Sequence, residues 1–327
     1  MSIKDFKEYK PAIIFRNKHL NTIYPTFFRK INNLTFQRER INTEDNDFID
    51  IDWSKVSSKK LIVLLHGLEG SSNGQYIKGM CRIFNKNNWD ALAMNYRGCS
   101  GEINKTIRMY HGGATDDIEF LINYIEKDYE EIALVGFSLG GNLLLKYLGD
   151  GKYKLNKKIK GAAAISVPCD LKSVMENLGR KKNLIYSKRF LKALKKKVML
   201  KKMLLPNEIS DEHLKYIKSL KDFDDKYTAP IHGFKDAYDY YEKCSCKKFL
   251  KDIKTPTLII NALDDPFLDK DCFPVDEVEI NENLSLLMPK HGGHVGFSSL
   301  SEEDYWTEKK VLDFMEKTGK LEMLDKN

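Results

Sequence analysis

The stretch Glu131-Ile-Ala-Leu-Val-Gly-Phe-Ser-Leu-Gly-Gly-Asn-Leu-Leu-Leu-Lys-Tyr-Leu148 joins an apolar run to a glycine-flanked serine and then to an amphipathic repeat. The apolar run fits a buried strand, and the later leucines recur at helical spacing. Gly136 and Gly140, two residues to either side of Ser138, remove side chains that would collide where strand and helix cross. We therefore expect the Ser138 hydroxyl in a tight turn at the carboxyl edge of a sheet.

A GxSxG pattern alone is weak, because a glycine-rich turn can also pack a helix on a strand or hold a phosphate. Here no lysine follows the glycines as in a P-loop, and the spacing is not GxGxxG. The order strand, turn and helix favours a nucleophilic serine.

Charge and cysteines exclude several classes of protein. A formal net charge of +7 over 327 residues is mild, so no nucleic-acid partner is expected. The six cysteines are scattered, and the close pair Cys244 and Cys246 lacks zinc or redox spacing. We interpret them as reduced thiols of a cytoplasmic protein and expect no metal.

The first ten residues carry charges where a signal peptide needs an apolar core, and no apolar run reaches about 18 residues. Export and membrane spanning are therefore not expected.

Apolar runs and helical patterns alternate along the chain, as in βαβ units. Strands are predicted at 61–65, 91–94, 132–135, 162–167, 257–260 and 284–288, helices at 76–85 and 115–127, and antiparallel edge strands at 34–41 and 47–53. The fold class is α/β, with a mostly parallel central sheet and helices on both faces. One domain over 1–327 is expected, with a lysine-rich helical cap at 171–248 above the carboxyl edge of the sheet.

A serine nucleophile needs a base that is neutral near pH 7, typically a histidine oriented by a carboxylate. His294 follows the last predicted strand in a glycine-rich loop, and His291 is its rival. The loop after the strand at 257–260 supplies Asp264 and Asp265. We favour Asp264, which comes first off the strand, with Asp265 as the alternative.

Backbone N–H groups are expected to stabilise the oxyanion. One is that of Leu139, which follows Ser138, and the other is that of Leu68, in the loop after the strand at 61–65. Gly67 lets the backbone approach closely. His66 is interpreted as a structural residue of that loop.

These motifs resemble the α/β-hydrolase superfamily, and more narrowly its YheT-type subfamily of esterases and lipases. The resemblance covers most of the chain through Lys18-His-Leu-Asn-Thr-Ile-Tyr-Pro25, His66-Gly-Leu-Glu-Gly-Ser71, Asn95-Tyr-Arg-Gly-Cys-Ser-Gly-Glu102, Tyr110-His-Gly-Gly113, the serine turn, Leu263-Asp-Asp-Pro-Phe267 and Gly292-Gly-His-Val-Gly-Phe297. It implies serine-dependent cleavage of carboxylic esters with Ser138, Asp264 and His294 as the triad. No metal or organic cofactor is implied.

The segment from Asn95 to Glu102, which follows the strand at 91–94, contains Cys99 as an alternative nucleophile. Arg97 is expected to brace loops through an ion pair, and Cys99 lacks the strand, turn and helix context of Ser138.

Eleven lysines and arginines and no acid lie between Arg180 and Lys202. The simpler interpretation is a solvated face of the cap. The alternative is an interfacial helix whose apolar face, from Leu184 to Leu200, lies on anionic lipid.

The leading hypothesis is a serine hydrolase that cleaves esters of short or medium acyl chains through an acyl-enzyme. An acyltransferase with the same triad, or a non-catalytic lipid-binding protein on the same fold, is the alternative.

Overall fold

Eight strands form one sheet in the computed structural model, which describes residues 8–32 and 34–324. They are β1 (Gln37–Asn42), β2 (Phe48–Ser54), β3 (Lys60–Leu65), β4 (Asp90–Asn95), β5 (Glu131–Phe137), β6 (Ile159–Ile165), β7 (Thr257–Ile260) and β8 (Leu284–Leu287). Their order in the sheet is β1-β2-β4-β3-β5-β6-β7-β8. Strand β2 runs antiparallel to β1 and β4, and the other neighbours are parallel. The predicted mostly parallel sheet is confirmed.

The helices are α1 (Lys18–Phe28), α2 (Gln75–Lys86), α3 (Thr115–Ile125), α4 (Leu139–Gly149), α5 (Leu171–Gly179), α6 (Leu184–Leu204), α7 (Leu220–Phe223), α8 (Ala229–Ile231), α9 (Ala237–Cys244), α10 (Val275–Glu279) and α11 (Trp306–Leu324). In the described ranges, no helix combines the length and apolarity that crossing a membrane requires. Residues 1–7, in the stretch where no signal peptide is expected, lie outside those ranges.

Helices cover both faces of the sheet, because successive strand side chains point to opposite sides. In β3, Leu61, Val63 and Leu65 pack in the cluster that contains the apolar residues of α3 and α4. Ile62 and Leu64 join the opposite cluster, with residues of α2 and α11. This two-sided burial explains why the strand reads as a continuous apolar run.

The segment between β6 and β7 is helical, from α5 to α9. Its apolar residues form a third cluster, which also takes in Met109 and Phe267 from loops after β4 and β7. The segment thus packs on the carboxyl edge of the sheet. The limits 171–248 for a separate cap stay a prediction.

Helix α6 carries the basic stretch, but part of its expected lipid-facing surface points inward. Leu191, Leu194 and Val198 are buried in the third cluster. The interpretation that these three residues face lipid is wrong, since they pack on the rest of the segment. Lys197 and Lys201 are also buried.

Candidate active site

Ser138 lies in a strained turn between β5 and α4. Its φ of 51° and ψ of −121° are unusual for a residue with a side chain. A Cβ at Gly136 would lie 2.3 Å from Gly140 O, and one at Gly140 would lie 2.4 Å from Leu65 O. Both glycines are therefore required by the close crossing of strand and helix, as the sequence predicts.

His294 lies between Ser138 and a carboxylate. Its Nε2 is 2.9 Å from Ser138 Oγ, and its Nδ1 is 2.8 Å from Asp265 Oδ2. Because an ionised carboxylate only accepts, Nδ1–H donates to Asp265 and Nε2 is left to accept the serine proton. The side chain of Asp265 is fully buried, with 0% of it exposed.

The expectation that Asp264 orients His294 is wrong. Asp264 instead contacts His291 Nδ1 at 3.1 Å and accepts the N–H of Gly293 at 2.9 Å. The reason is a turn, closed by the N–H of Asp265 donating to Ala262 O at 3.1 Å. This turn puts Asp264 at its corner, and the next residue is the one that points to the imidazole.

Helix α1 holds the loop that carries His294, a contribution that sequence reasoning missed. The N–H of His294 donates to Thr22 Oγ1 at 2.9 Å, and Asn21 Oδ1 accepts the N–H of Ser298 at 2.8 Å. A Cβ at Gly296 would lie 2.2 Å from Asn21 O, so the loop can approach only with glycine there. The Lys18 to Pro25 motif was the available signal, but nothing local assigned it a partner.

Two further groups fix the histidine loop from other directions. Val295 has a φ of 56°, and its N–H donates to Ser166 Oγ at 2.9 Å. The ring of Phe267 packs on the imidazole of His294 with centroids 4.0 Å apart. The loop is thus held from three sides of the site.

The loop after β3 lies against the nucleophile, since a Cβ at Gly67 would be 3.1 Å from Ser138 Cβ. Its N–H groups donate from Gly67 to Tyr76 Oη (3.1 Å), from Glu69 to Tyr110 Oη (2.7 Å) and from Gly70 to Gly67 O (3.0 Å). Within the described ranges, the N–H of Leu68 has no acceptor. This amide is therefore available to a ligand beside Ser138.

His66 has the structural role expected from the sequence. It is buried, and burial lowers its pKa to about 3. Its Nδ1–H donates to Gly67 O at 2.7 Å, and its Nε2 accepts the N–H of Tyr96 at 3.2 Å. A neutral imidazole with both nitrogens occupied stiffens the loop and cannot act as a base.

The block after β4 also braces the site. Arg97 pairs with Asp117 at 2.8 Å and with Asp45 at 2.8 Å. Burial raises the pKa of the Cys99 thiol to about 11, although Lys197 Nζ lies 3.2 Å from its sulfur. Cys99 therefore stays protonated near neutral pH, which disfavours it as a nucleophile.

Two cavities meet at Ser138 and His294. One is a small apolar space of about 30 Å³, whose lining includes residues of α5 together with Phe190 and Leu268. The other is a cleft of about 500 Å³, open to solvent, between α1, α6 and the loop after β3. Among the described residues, no three His, Cys, Asp or Glu side chains group as metal ligands.

Comparisons with known proteins identify the family of this fold. A model of the alpha/beta hydrolase fold family matches residues 60–298. The protein named "Putative esterase YheT" of Escherichia coli (strain K12) is 35% identical over 318 residues, covering 94% of this chain and 93% of that protein. "Phospholipase ABHD3" of Bos taurus is 29% identical and covers 88% of this chain and 73% of that protein.

Among solved structures, the Pyrococcus furiosus esterase Pf2001 superposes with a TM-score of 0.58 at 16% identity, over 95% of this chain and 98% of that one. At that identity the likeness supports the fold alone. Since a family model matches most of the chain and a 35% identical relative spans nearly all of it, the chain belongs to the α/β-hydrolase family and to its YheT-type group.

Proposed function

We propose that this chain is a serine hydrolase that cleaves carboxylic esters through an acyl-enzyme intermediate. The observation that carries the proposal is the hydrogen-bonded line from Ser138 through His294 to Asp265, at 2.9 and 2.8 Å. Geometry of this kind activates a hydroxyl that is otherwise a weak nucleophile. The names of the relatives, an esterase and a phospholipase, denote ester hydrolysis and are compatible with it.

In the first step Ser138 Oγ attacks the ester carbonyl carbon while His294 Nε2 takes the hydroxyl proton. The imidazolium is stabilised by the Asp265 carboxylate and returns the proton to the leaving alcohol as the carbon–oxygen bond breaks. Water then repeats the sequence on the acyl-enzyme, which releases the carboxylic acid and restores Ser138.

The oxyanion of each tetrahedral intermediate would accept hydrogen bonds from the N–H groups of Leu68 and Leu139. The N–H groups of the loop neighbours of Leu68 donate to tyrosine hydroxyls or to a carbonyl of the same loop, whereas the Leu68 N–H has no acceptor among the described residues. The Leu139 amide begins α4, where the helix dipole also favours negative charge.

The two cavities suit the two halves of an ester. The alcohol must leave to solvent, so we assign it to the open cleft of about 500 Å³. The acyl group stays on Ser138 and would occupy the small apolar cavity, whose 30 Å³ has room for about two water-sized groups. Short acyl chains would fit directly, and longer chains would require Met175, a flexible side chain on its wall, to move.

The segment 171–248 would act as the cap of this site, because residues of α6 line both cavities and residues of α5 line the smaller one. We also propose a cytoplasmic location, with which the six free thiols are compatible.

A fluorophosphonate probe tests the nucleophile. We expect the wild-type chain to be labelled and Ser138→Ala to be unlabelled, with Ser285→Ala, a serine-to-alanine change in β8 away from the triad, still labelled. Equal labelling of Ser138→Ala would exclude Ser138 as the nucleophile.

A series of p-nitrophenyl esters tests the substrate class. We expect kcat/KM to be largest for acetate and propionate and to fall for longer chains, which require Met175 to move. A rise towards palmitate would contradict the assignment of the small apolar cavity to the acyl group.

A further inference from the structure

The outer face of α1 is apolar, whereas its inner face carries polar contacts. Leu20, Ile23 and Phe27, spaced on one side of the helix, are 47%, 37% and 68% exposed. On the opposite side, Asn21 and Pro25 are buried against the histidine loop and the body of the protein. A helix on the surface of a globular protein normally turns its apolar residues towards the core and its polar residues towards solvent.

This apolar stripe borders the entrance of the open cleft. Ile23 lines that cleft together with Ser138 and His294. Helix α6 forms the other side of the entrance and is joined to α1 by a 3.0 Å contact between His19 Nδ1 and Tyr186 Oη.

The part of α6 at the entrance combines one exposed isoleucine with a set of cations. Ile185 is 75% exposed, and Lys188, Arg189 and Lys192 lie on the same side of the helix, at its third, fourth and seventh following positions. All three cations are exposed, and none has a carboxylate partner among the residues that the structure describes. Arg189 also lines the cleft.

We propose that this entrance surface, made of Leu20, Ile23, Phe27, Ile185, Lys188, Arg189 and Lys192, docks on a bilayer that contains anionic phospholipid. Apolar side chains that flank the mouth would enter the boundary between headgroups and acyl chains, and the unpaired cations would contact lipid phosphates and carboxylates. The cleft then opens towards the phase in which esters with acyl chains dissolve. That consequence for substrate access rests on the proposed function, whereas the docking itself does not.

Charge complementarity favours lipid over a second copy of the chain. From Arg180 to Lys202 the sequence holds no acid. A symmetric dimer through this surface would bring one set of unpaired cations to an equal set without supplying carboxylates. An anionic membrane supplies both the negative charge and the apolar phase.

The test is co-sedimentation of the full chain, carrying Ser138→Ala to prevent hydrolysis, with vesicles of phosphatidylcholine alone or with one third phosphatidylserine. We expect binding to the anionic vesicles and its release at high NaCl. Absence of binding to the anionic vesicles, or binding to both kinds that resists salt, would overturn the proposal.

A matched pair of substitutions tests the apolar part. Ile185→Ser should lower the partition coefficient on anionic vesicles roughly tenfold, and Phe27→Ser by a similar factor. Ile280→Ser is the control. Ile280 is 74% exposed, but it precedes β8 and so lies at the amino ends of the parallel strands, whereas the cleft lies at their carboxyl ends. Equal losses at positions 185 and 280 would contradict a specific docking surface.

The cationic part is tested in the same way. Lys188→Gln with Lys192→Gln should lower binding to anionic vesicles roughly tenfold, since each cation near such a surface adds to the attraction. The control is Lys154→Gln with Lys157→Gln. These two exposed lysines precede β6 and so lie at the amino ends of the parallel strands, away from the cleft. Labelling by the fluorophosphonate probe in Ser138-containing versions of the variants should stay unchanged, which separates docking from catalysis.

Light scattering without lipid tests whether a second copy of the chain covers this surface instead of a membrane. The proposal expects the same mass for the wild type and for Ile185→Ser. A wild-type dimer that becomes monomeric in Ile185→Ser would show that a second copy covers this surface, and the lipid proposal would be wrong.

Discussion

Asp265→Asn separates the two candidate acids, because it replaces one carboxylate oxygen by an NH₂ group, removes the charge and changes almost no volume. Asp265 Oδ1 accepts the N–H of Phe267 at 2.8 Å, and this bond would keep the oxygen of asparagine on that side. The amide NH₂ would then face His294 Nδ1, which could only accept. The imidazole proton would move to Nε2, and Nε2 could no longer take the proton of Ser138.

The magnitude follows from that loss of the reactive tautomer. Replacing the orienting aspartate by asparagine in a serine protease lowers kcat by about 10⁴. We expect a similar loss of kcat/KM here, about 5.5 kcal/mol of transition-state stabilisation. Asp264→Asn keeps an oxygen for the N–H of Gly293 and changes only the contact with His291, so its loss should stay below about fivefold.

The assay compares kcat/KM of both variants on p-nitrophenyl acetate, with urea unfolding as the measure of intact structure. Two folded variants with a large loss for Asp265→Asn and a small one for Asp264→Asn are expected. A larger loss in Asp264→Asn, at unchanged stability, would refute the orienting role of Asp265.

Three further substitutions test the support of the histidine loop and two buried titratable groups. Thr22→Ala should lower kcat about tenfold, because it removes the acceptor of the His294 N–H, and Thr22→Ser should restore it. Lys197→Met should lower the free energy of unfolding by about 3 kcal/mol, since it leaves nearly buried Glu69 unpaired, and adding Glu69→Gln should recover part of the loss. Burial lowers the pKa of His232 to about 4, so the unfolded chain takes up its proton first as pH falls below about 6.5, and stability decreases. His232→Gln should therefore lose about 1 to 2 kcal/mol less than the wild type between pH 7 and 5 in urea unfolding.

Each of these expectations has a clear contrary result. Equal activity of Thr22→Ala and the wild type would show that the histidine loop is held without that hydroxyl. An additive double variant at positions 69 and 197 would mean that the two charges do not interact. Parallel pH curves for His232→Gln and the wild type would place the acid sensitivity elsewhere.

The strand and helix pattern was available from the sequence because the sheet is buried on both faces. Runs such as 61–65 and 132–135 then have to be continuously apolar, and each matched a strand to within one or two residues. The antiparallel strands β1 and β2 were also expected, from their alternation, but only β1 lies at the edge, because β2 pairs with both β1 and β4. Ser138 was identifiable because its turn needs two glycines and a helix within a short stretch.

The choice between Asp264 and Asp265 was not available, because it depends on how a turn is closed. Both residues lie in the loop that follows β7, and the hydrogen bond from Asp265 N–H to Ala262 O decides which carboxylate faces inward. The inward face of α6 is a similar case. Its leucines and lysines recur at the same helical spacing, and packing on the loop after β7 selects which of them are buried.

The sequence by itself determined the order of elements, the nucleophile turn and the histidine, since the first two appear as local patterns and His294 follows the last strand in a glycine-rich loop. The three-dimensional structure decided the acid, the contacts of Thr22 and Asn21 in α1 with the histidine loop, and the exposure of the apolar stripe at the cleft entrance. The acid depends on how the turn from Ala262 to Asp265 closes, and the contacts of α1 depend on the packing of segments more than 270 residues apart. The side-chain pattern along one segment contains neither kind of information.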